Sequence, residues 1–198
     1  MQPHSAALAR SKSTWQRPTT LPDLRQAGLI ALDSETKDLG LQAGLSPGSS
    51  TNNGCVVGIS VAHRAGTETP GYYFPIAHPD SDNFPREQVA QWLRDHLKAG
   101  VRIVGCNLLY DLGWLSTDLG IPVPSAEQLE EVTAAATFTN ENLFTYSLDA
   151  LCQAYDVPGK DETLLREAIT LQLGVNPGIR TNPPQASIAQ LPAQFVGP

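Results

Sequence analysis

The sequence lacks several features that mark particular classes of protein. None of its apolar runs approaches the roughly 18 residues that a membrane-spanning helix needs, so no membrane span is predicted. The amino-terminal part of the chain contains no apolar segment of the kind found in secretory signals, and the three cysteines show no paired spacing. These absences favour a protein of the reducing cytoplasm over a disulfide-bonded secreted protein or a zinc-binding domain.

Basic residues are scarce, and acidic residues disappear towards the carboxyl end. Lys and Arg number 13 against 20 Asp and Glu, which gives a net charge of −7. This balance argues against broad adhesion to nucleic acid through basic patches, but it suits an enzyme that holds metal ions on carboxylates. No Asp or Glu follows Glu167, and the same segment is rich in proline: Pro177, Pro183, Pro184, Pro192 and Pro198.

The hydrophobic pattern predicts one α/β domain with a mixed sheet flanked by helices. Strands are predicted at residues 29–35, 55–62, 71–76 and 101–106, the second and third joined as a hairpin. Helices are predicted at residues 85–98, 108–119 and 126–138, followed by two short helices capped by Ser147 and Asp161. Residues 40–54 are predicted to form a loop.

Two acidic residues stand at the polar end of the first strand. Side chains alternate along a strand, so Asp33 and Glu35 project from the same face, about 7 Å apart at the backbone. Carboxylates placed in this way repel one another unless a proton or a cation lies between them. Mg²⁺ and Mn²⁺ prefer such oxygen ligands. The alternative is a pair of solvated acids, because the Asp-x-Glu pattern is common.

A second polar group follows the fourth strand. Asn107 occupies the N-cap position of the next helix, and Asp111 lies one turn later on the same face. By themselves these residues are explained as a capping Asn and an Asp that the helix dipole stabilises. If the fourth strand lies beside the first, Asp33, Glu35 and Asp111 converge at one end of the sheet. Three such carboxylates would form part of a two-metal site for phosphodiester cleavage.

The order and spacing of these motifs resemble those of the DnaQ-like (DEDD) 3′→5′ exonuclease domain, in particular the proofreading domain of phage and bacterial family A DNA polymerases. The first motif is Ala-Leu-Asp-Ser-Glu-Thr-Lys-Asp-Leu at residues 31–39, and the second is Gly-Cys-Asn-Leu-Leu-Tyr-Asp at residues 105–111. Supporting phrases lie at residues 73–79, 146–151 and 160–162. The resemblance implies a ribonuclease H-like fold with a five-stranded mixed sheet. The fifth strand is expected between Glu131 and Ala150, or else beyond the end of the chain.

The resemblance also implies a function, the removal of nucleotides from the 3′ end of single-stranded DNA with two Mg²⁺ or Mn²⁺ ions. Asp33 would bridge both ions, Glu35 would complete the site of the ion that activates the nucleophile, and Asp111 would hold the second ion. The residues implied in contact with the terminal nucleotide are Thr36, Leu39, Asn107 and Tyr110. Leu39 would wedge against the terminal base, although ordinary packing is an equal alternative for Leu39 and Tyr110.

The resemblance divides the chain into an irregular leader (residues 1–28), an exonuclease domain (29–176) and a Pro-rich tail (177–198). The family's third motif, Tyr-x-x-x-Asp on a late helix, does not occur, and Glu130 and Glu131 are poor substitutes for its carboxylate. We therefore expect a fragment of a longer polypeptide that includes the polymerase domain, with activity impaired by the missing carboxylate. The alternatives are a ribonuclease D-like 3′→5′ exoribonuclease and a non-catalytic single-strand-binding module of exonuclease ancestry.

Overall fold

A computed structural model describes residues 15–159, 163–174 and 190–195, and in these residues five strands form one mixed sheet. The strands are β1 (Leu29–Asp38), β2 (Gly54–His63), β3 (Gly71–Pro75), β4 (Arg102–Gly105) and β5 (Leu129–Glu131). Their order is β3-β2-β1-β4-β5. The pairs β1–β2 and β2–β3 are antiparallel, whereas β1–β4 and β4–β5 are parallel. This topology confirms the α/β class and is consistent with a ribonuclease H-like fold.

Helices follow the sheet strands in the order that the sequence pattern indicates. They are α1 (Leu39–Gln42), α2 (Arg86–Lys98), α3 (Leu108–Leu119), α4 (Val132–Thr139), α5 (Leu148–Ala154) and α6 (Thr163–Ala168), which continues as a π-helical turn (Ile169–Leu173). Gly120 ends α3 in the left-handed conformation, with φ of 61°. In the part of the chain described, no helix combines the length and apolar character that crossing a bilayer requires.

The core lies between one face of the sheet and the helices α2 and α3. Ile30 and Leu32 alternate with exposed Ala31 and Asp33 along β1, so only one face of this strand is buried. The buried side chains join those of α2 and α3 in one hydrophobic cluster, which includes the fully buried Trp114. Burying one such side chain contributes about 1.5–3 kcal/mol to folding, so this packing fixes α3 against β1.

The prediction of one continuous helix over residues 126–138 is wrong. Residues Ala126–Gln128 form a 3₁₀ turn, and Leu129–Glu131 form β5, which pairs with β4 from Ile103 to Gly105. The fifth strand therefore precedes the interval in which it was expected, since only Glu131 belongs to both. Hydrogen bonding to β4 outweighs the local helical preference here. The helix that does form, α4, starts after β5.

Two other segments differ in detail from the expected pattern. The predicted loop at residues 40–54 contains the short helix α1, which begins one residue earlier, and a 3₁₀ turn at Gly48–Thr51. Ser147 caps α5 as predicted, because its hydroxyl accepts the Ala150 N–H at 3.3 Å. The other predicted cap, Asp161, lies outside the described residues.

Residues 15–28 contain no helix or strand, yet they pack against α2. Leu24 is buried in the core and donates its backbone N–H to His96 Nε2 at 2.9 Å. One turn earlier on α2, Trp92 donates its indole N–H to the Pro22 carbonyl at 2.6 Å. These contacts explain why His96 is buried, and they give it a structural role.

Candidate active site

The middle of β1 carries the first pair of candidate residues on the face opposite to the core. Asp33 is exposed and pairs across the ladder with Ser60, whereas Glu35 is half-buried and pairs with Gly58. The β1–β2 register shifts directly after Glu35, since Thr36 pairs with Val56. Such an irregularity increases the local twist and redirects the side chains next to it.

Asp111 reaches this strand from the first turn of α3. The parallel pairing of β1 and β4 ends at Ala31 and Val104, so residues further along β1 have no β4 partner in the ladder. Asp111 provides a partner for one of these residues, because its Oδ1 accepts the Ser34 N–H at 2.9 Å and the Ser34 hydroxyl at 2.5 Å. The structure therefore brings the second motif to the residue that separates Asp33 from Glu35.

The Asp111 carboxylate is buried, which disfavours its charged form. The residue is only 3% exposed, and this burial raises its carboxyl pKa to about 6, against the effect of the two Ser34 hydrogen bonds. The negative charge of Asp33 raises the pKa further. A proton or a cation near these two carboxylates would relieve both effects.

Tyr73 lies on the same face of the sheet and was not among the predicted site residues. Its hydroxyl passes over Gly58, where an added Cβ would stand 2.0 Å from the Tyr73 oxygen. Because Gly58 pairs with Glu35, the tyrosine occupies the space beside that carboxylate. Burial raises the Tyr73 pKa, and the charges of Glu35 and Asp33 raise it further. The phrase Tyr-Phe-Pro-Ile-Ala-His-Pro at residues 73–79 is the sequence signal that contains this residue.

The Tyr73 hydroxyl is hydrogen-bonded to His78, which is also buried. The Leu191 carbonyl lies 2.7 Å from His78 Nδ1, and a carbonyl only accepts, so Nδ1 carries the proton. Burial lowers the His78 pKa and favours the neutral ring. Nε2 of the neutral ring must then accept the Tyr73 hydroxyl proton. This chain of bonds connects residues 190–195 to the face that carries Glu35.

Thr36 and Tyr110 touch one another, and Leu39 begins the adjacent helix α1. The Thr36 and Tyr110 hydroxyl oxygens are 2.7 Å apart, and the Tyr110 hydroxyl donates to Asp38 Oδ2 at 3.0 Å. Burial raises the pKa of Tyr110. Leu39 is 38% exposed, so a part of its side chain is available to a ligand. Asp38, which joins these residues, was not among the predicted site residues.

Asn107 occupies the N-cap position of α3, but the interpretation of its side chain as the cap is wrong. Its φ of 62° is left-handed, and its side chain makes no capping hydrogen bond. Glu131 at the end of β5 accepts the N–H groups of Asn107 at 2.9 Å and Leu108 at 2.7 Å instead. Glu131 also accepts the Thr133 N–H at 3.0 Å, so one carboxylate serves the starts of α3 and α4.

The donor set has the chemistry that hard divalent cations require, since Asp33, Glu35 and Asp111 offer only oxygen ligands. The costly charge on buried Asp111 beside Asp33 also fits a nearby cation. Within residues 15–159, 163–174 and 190–195, however, no three His, Cys, Asp or Glu side chains are close enough together to hold a metal ion. The donor chemistry therefore fits, but Asp33, Glu35 and Asp111 do not form a cluster of three metal ligands in this structure.

Comparison with known proteins relates the chain to a polymerase. It is 36% identical over 189 residues to a DNA-directed DNA polymerase of Pseudomonas phage M6. The alignment covers 93% of this chain but only 26% of that polymerase, so the chain spans about a quarter of its relative's length. No protein-family model matches the chain. The chain is therefore similar in sequence to a part of a DNA polymerase.

Proposed function

We propose that this chain is a metal-dependent 3′→5′ exonuclease domain that proofreads for a DNA polymerase. The observation that carries the proposal is the contact between the two motifs, in which Asp111 holds the backbone of Ser34 between Asp33 and Glu35. The similarity to a phage DNA polymerase supports a DNA substrate and a polymerase portion in the same polypeptide. We place the protein in the cytoplasm, where such a polymerase would act.

Asp33, Glu35 and Asp111 would hold two Mg²⁺ or Mn²⁺ ions in this proposal. When bound, such ions lower the pKa of an attacking water and stabilise the leaving oxygen of a phosphodiester. The contribution of Ser34 is to orient Asp111, since its N–H and its hydroxyl both donate to Asp111 Oδ1. Ligand orientation by such hydrogen bonds typically changes metal affinity by about 10–100-fold.

The terminal nucleotide would lie against Thr36, Leu39, Asn107 and Tyr110. Leu39 and Asn107 are exposed, whereas the hydroxyl groups of Thr36 and Tyr110 are hydrogen-bonded to one another. An exposed leucine beside these polar groups suits a ligand with an apolar flat part and a polar sugar-phosphate part. A single-stranded DNA end has this character, because its unpaired bases expose their faces.

A cleavage assay tests the proposal. Single-stranded DNA labelled at its 5′ end is incubated with the chain in Mg²⁺, Mn²⁺ or chelator, and shortening from the 3′ end is followed. Asp33→Asn is expected to abolish shortening, whereas Asp95→Asn, an exposed acid on α2, is the matched control and should cleave like the unmodified chain. A version carrying an added Tyr-x-x-x-Asp helix at the carboxyl end is expected to cleave faster, because the helix supplies a fourth carboxylate.

The same assay separates the two alternatives. Preferred shortening of an RNA strand of equal sequence would indicate a ribonuclease D-like enzyme. Tight binding of the DNA 3′ end without cleavage, in both the chain and the extended version, would indicate a non-catalytic binding module. Equal cleavage by wild type and Asp33→Asn would show that the observed nuclease does not use this site.

A further inference from the structure

Asp38 is a buried acid at the junction between β1 and α1. It is only 5% exposed, and both of its carboxylate oxygens are used. Oδ1 accepts the N–H groups of Leu41 at 2.9 Å and Gly48 at 3.0 Å. Oδ2 accepts the Gly48 N–H at 3.1 Å and the Tyr110 hydroxyl at 3.0 Å. One side chain therefore joins β1, α1, the following turn and α3.

The backbone closes tightly around this carboxylate. Gly40 and Gly48 are both buried, and a Cβ added to either would lie close to Asp38 Oδ1, at 3.2 and 3.0 Å respectively. The same added atoms would stand 2.4 Å from the carbonyl oxygens of Ser46 and Asn53. Both positions therefore require glycine. The segment from α1 to the following 3₁₀ turn is therefore folded closely around the Asp38 carboxylate.

The carboxylate also fixes the direction of two hydroxyl groups. The Tyr110 hydroxyl donates its proton to Asp38 Oδ2. The Tyr110 oxygen can then only accept from the Thr36 hydroxyl, whose oxygen lies 2.7 Å away. Thr36 therefore donates its hydroxyl proton to Tyr110. Thr36 therefore offers only lone pairs to a ligand, and the group that it meets must be a hydrogen-bond donor.

We propose that Asp38 is a positioning residue for the nucleotide site, which holds Leu39 in place and sets the polarity of the Thr36 and Tyr110 hydroxyl groups. This inference rests on the proposed function, because Thr36, Leu39 and Tyr110 are there the contacts of the terminal nucleotide. Asp38 itself is buried behind them. It acts on the nucleotide through these residues.

A binding experiment with the full chain tests the proposal. The probe is a short single-stranded oligothymidylate with fluorescein at its 5′ end, titrated in chelator so that binding is measured without cleavage. Asp38→Ala is expected to raise the dissociation constant roughly tenfold, the effect of losing about one hydrogen bond to a charged group. Asp38→Asn keeps one acceptor oxygen for the loop, so it should recover a part of the lost affinity.

Gln128→Ala is the matched control for lost stability. The Gln128 side-chain amide donates to the backbone carbonyls of Leu97 at 2.9 Å and Val101 at 3.2 Å, between α2 and β4 and away from the nucleotide contacts. This variant should lose stability but bind the probe like wild type. Hydrogen exchange at the Leu41 and Gly48 amides should accelerate only in Asp38→Ala.

The outcomes distinguish this inference from the function on which it rests. If wild type does not bind the probe, the proposed function fails, and this inference fails with it. If wild type binds and Asp38→Ala binds equally well, only the positioning role is overturned. An equal loss of affinity in Gln128→Ala would also overturn it, because general destabilisation would then explain the effect.

Discussion

Replacing Glu131 by alanine is predicted to weaken two helices at once. Its carboxylate accepts the N–H groups of Asn107, Leu108 and Thr133, which belong to the first turns of α3 and α4. Removal of one N-capping side chain typically costs about 1 kcal/mol. Because two helix starts share this carboxylate, Glu131→Ala should lower the free energy of unfolding by about 2 kcal/mol. In a domain of this size the melting temperature should then fall by roughly 4–8 °C.

Urea unfolding followed by circular dichroism measures this change, and the neighbouring residue supplies the control. The Glu130 side chain is 43% exposed and pairs with Arg102 on the surface. A surface ion pair of this kind contributes about 0–1 kcal/mol, so Glu130→Ala should hardly move the unfolding midpoint. A loss for Glu131→Ala no larger than that for Glu130→Ala would refute the capping role of Glu131.

The same capping contacts predict how the effect depends on pH. Partial burial tends to raise the Glu131 pKa, but the N–H groups of Asn107, Leu108 and Thr133 outweigh it and hold the pKa below its usual value of 4.5. A carboxyl group with a lowered folded-state pKa stabilises the protein fully above its unfolded-state pKa. This contribution should disappear as the pH falls below about 4.5 and through the folded-state pKa. The difference between wild type and Glu131→Gln should therefore shrink in acid.

Two further predictions concern the face that carries Tyr73. Gly58→Ala should lower the free energy of unfolding in urea by about 1–3 kcal/mol, because its Cβ would stand 2.0 Å from the Tyr73 oxygen. Gly71→Ala on the next strand is the control and should lower it far less, because its Cβ would meet nothing nearer than 3.9 Å. Equal losses of stability would contradict the close approach of Tyr73 to Gly58. Burial lowers the His78 pKa from 6.5, so protonation favours the unfolded chain, and stability should be constant above about pH 6.5 and fall below it. The same pH series on His78→Asn should lack this part of the decline, and an unchanged decline would assign it to other groups.

The strands β1 to β4 and the two longest helices could be predicted from the sequence because each contributes a run or a face of apolar side chains to the core. In helix α2 the apolar residues recur at helical spacing and form one buried face, and the side chains of β1 alternate between the core and the open face of the sheet. A strand of three residues such as β5 is too short to show a period, and it exists because β4 offers it hydrogen bonds. The alanine-rich residues that follow β5 favour a helix, and this local preference extended the prediction backwards over the strand.

The candidate site was predictable where the chemistry belongs to the side chains themselves. Asp33, Glu35 and Asp111 stand out as acids next to apolar strands. The residues that support them do not, because their roles arise from contacts between distant parts of the chain. Ser34 meets Asp111 across 77 residues, and Asp38 meets Tyr110 across 72. No local pattern marks either pairing.

These separations also determine when the site can form during folding. The antiparallel β2–β3 pair joins residues close in sequence, such as Ala62 and Gly71, and its loop is cheap to close. The pairing of β1 with β4 and the bond from Ser34 to Asp111 must close far longer loops, which slows their formation. A chain that has formed only this β2–β3 hairpin has neither Asp33 and Glu35 on a paired strand nor Asp111 beside them. We therefore expect the proposed exonuclease activity to appear late in refolding, when the native state is complete.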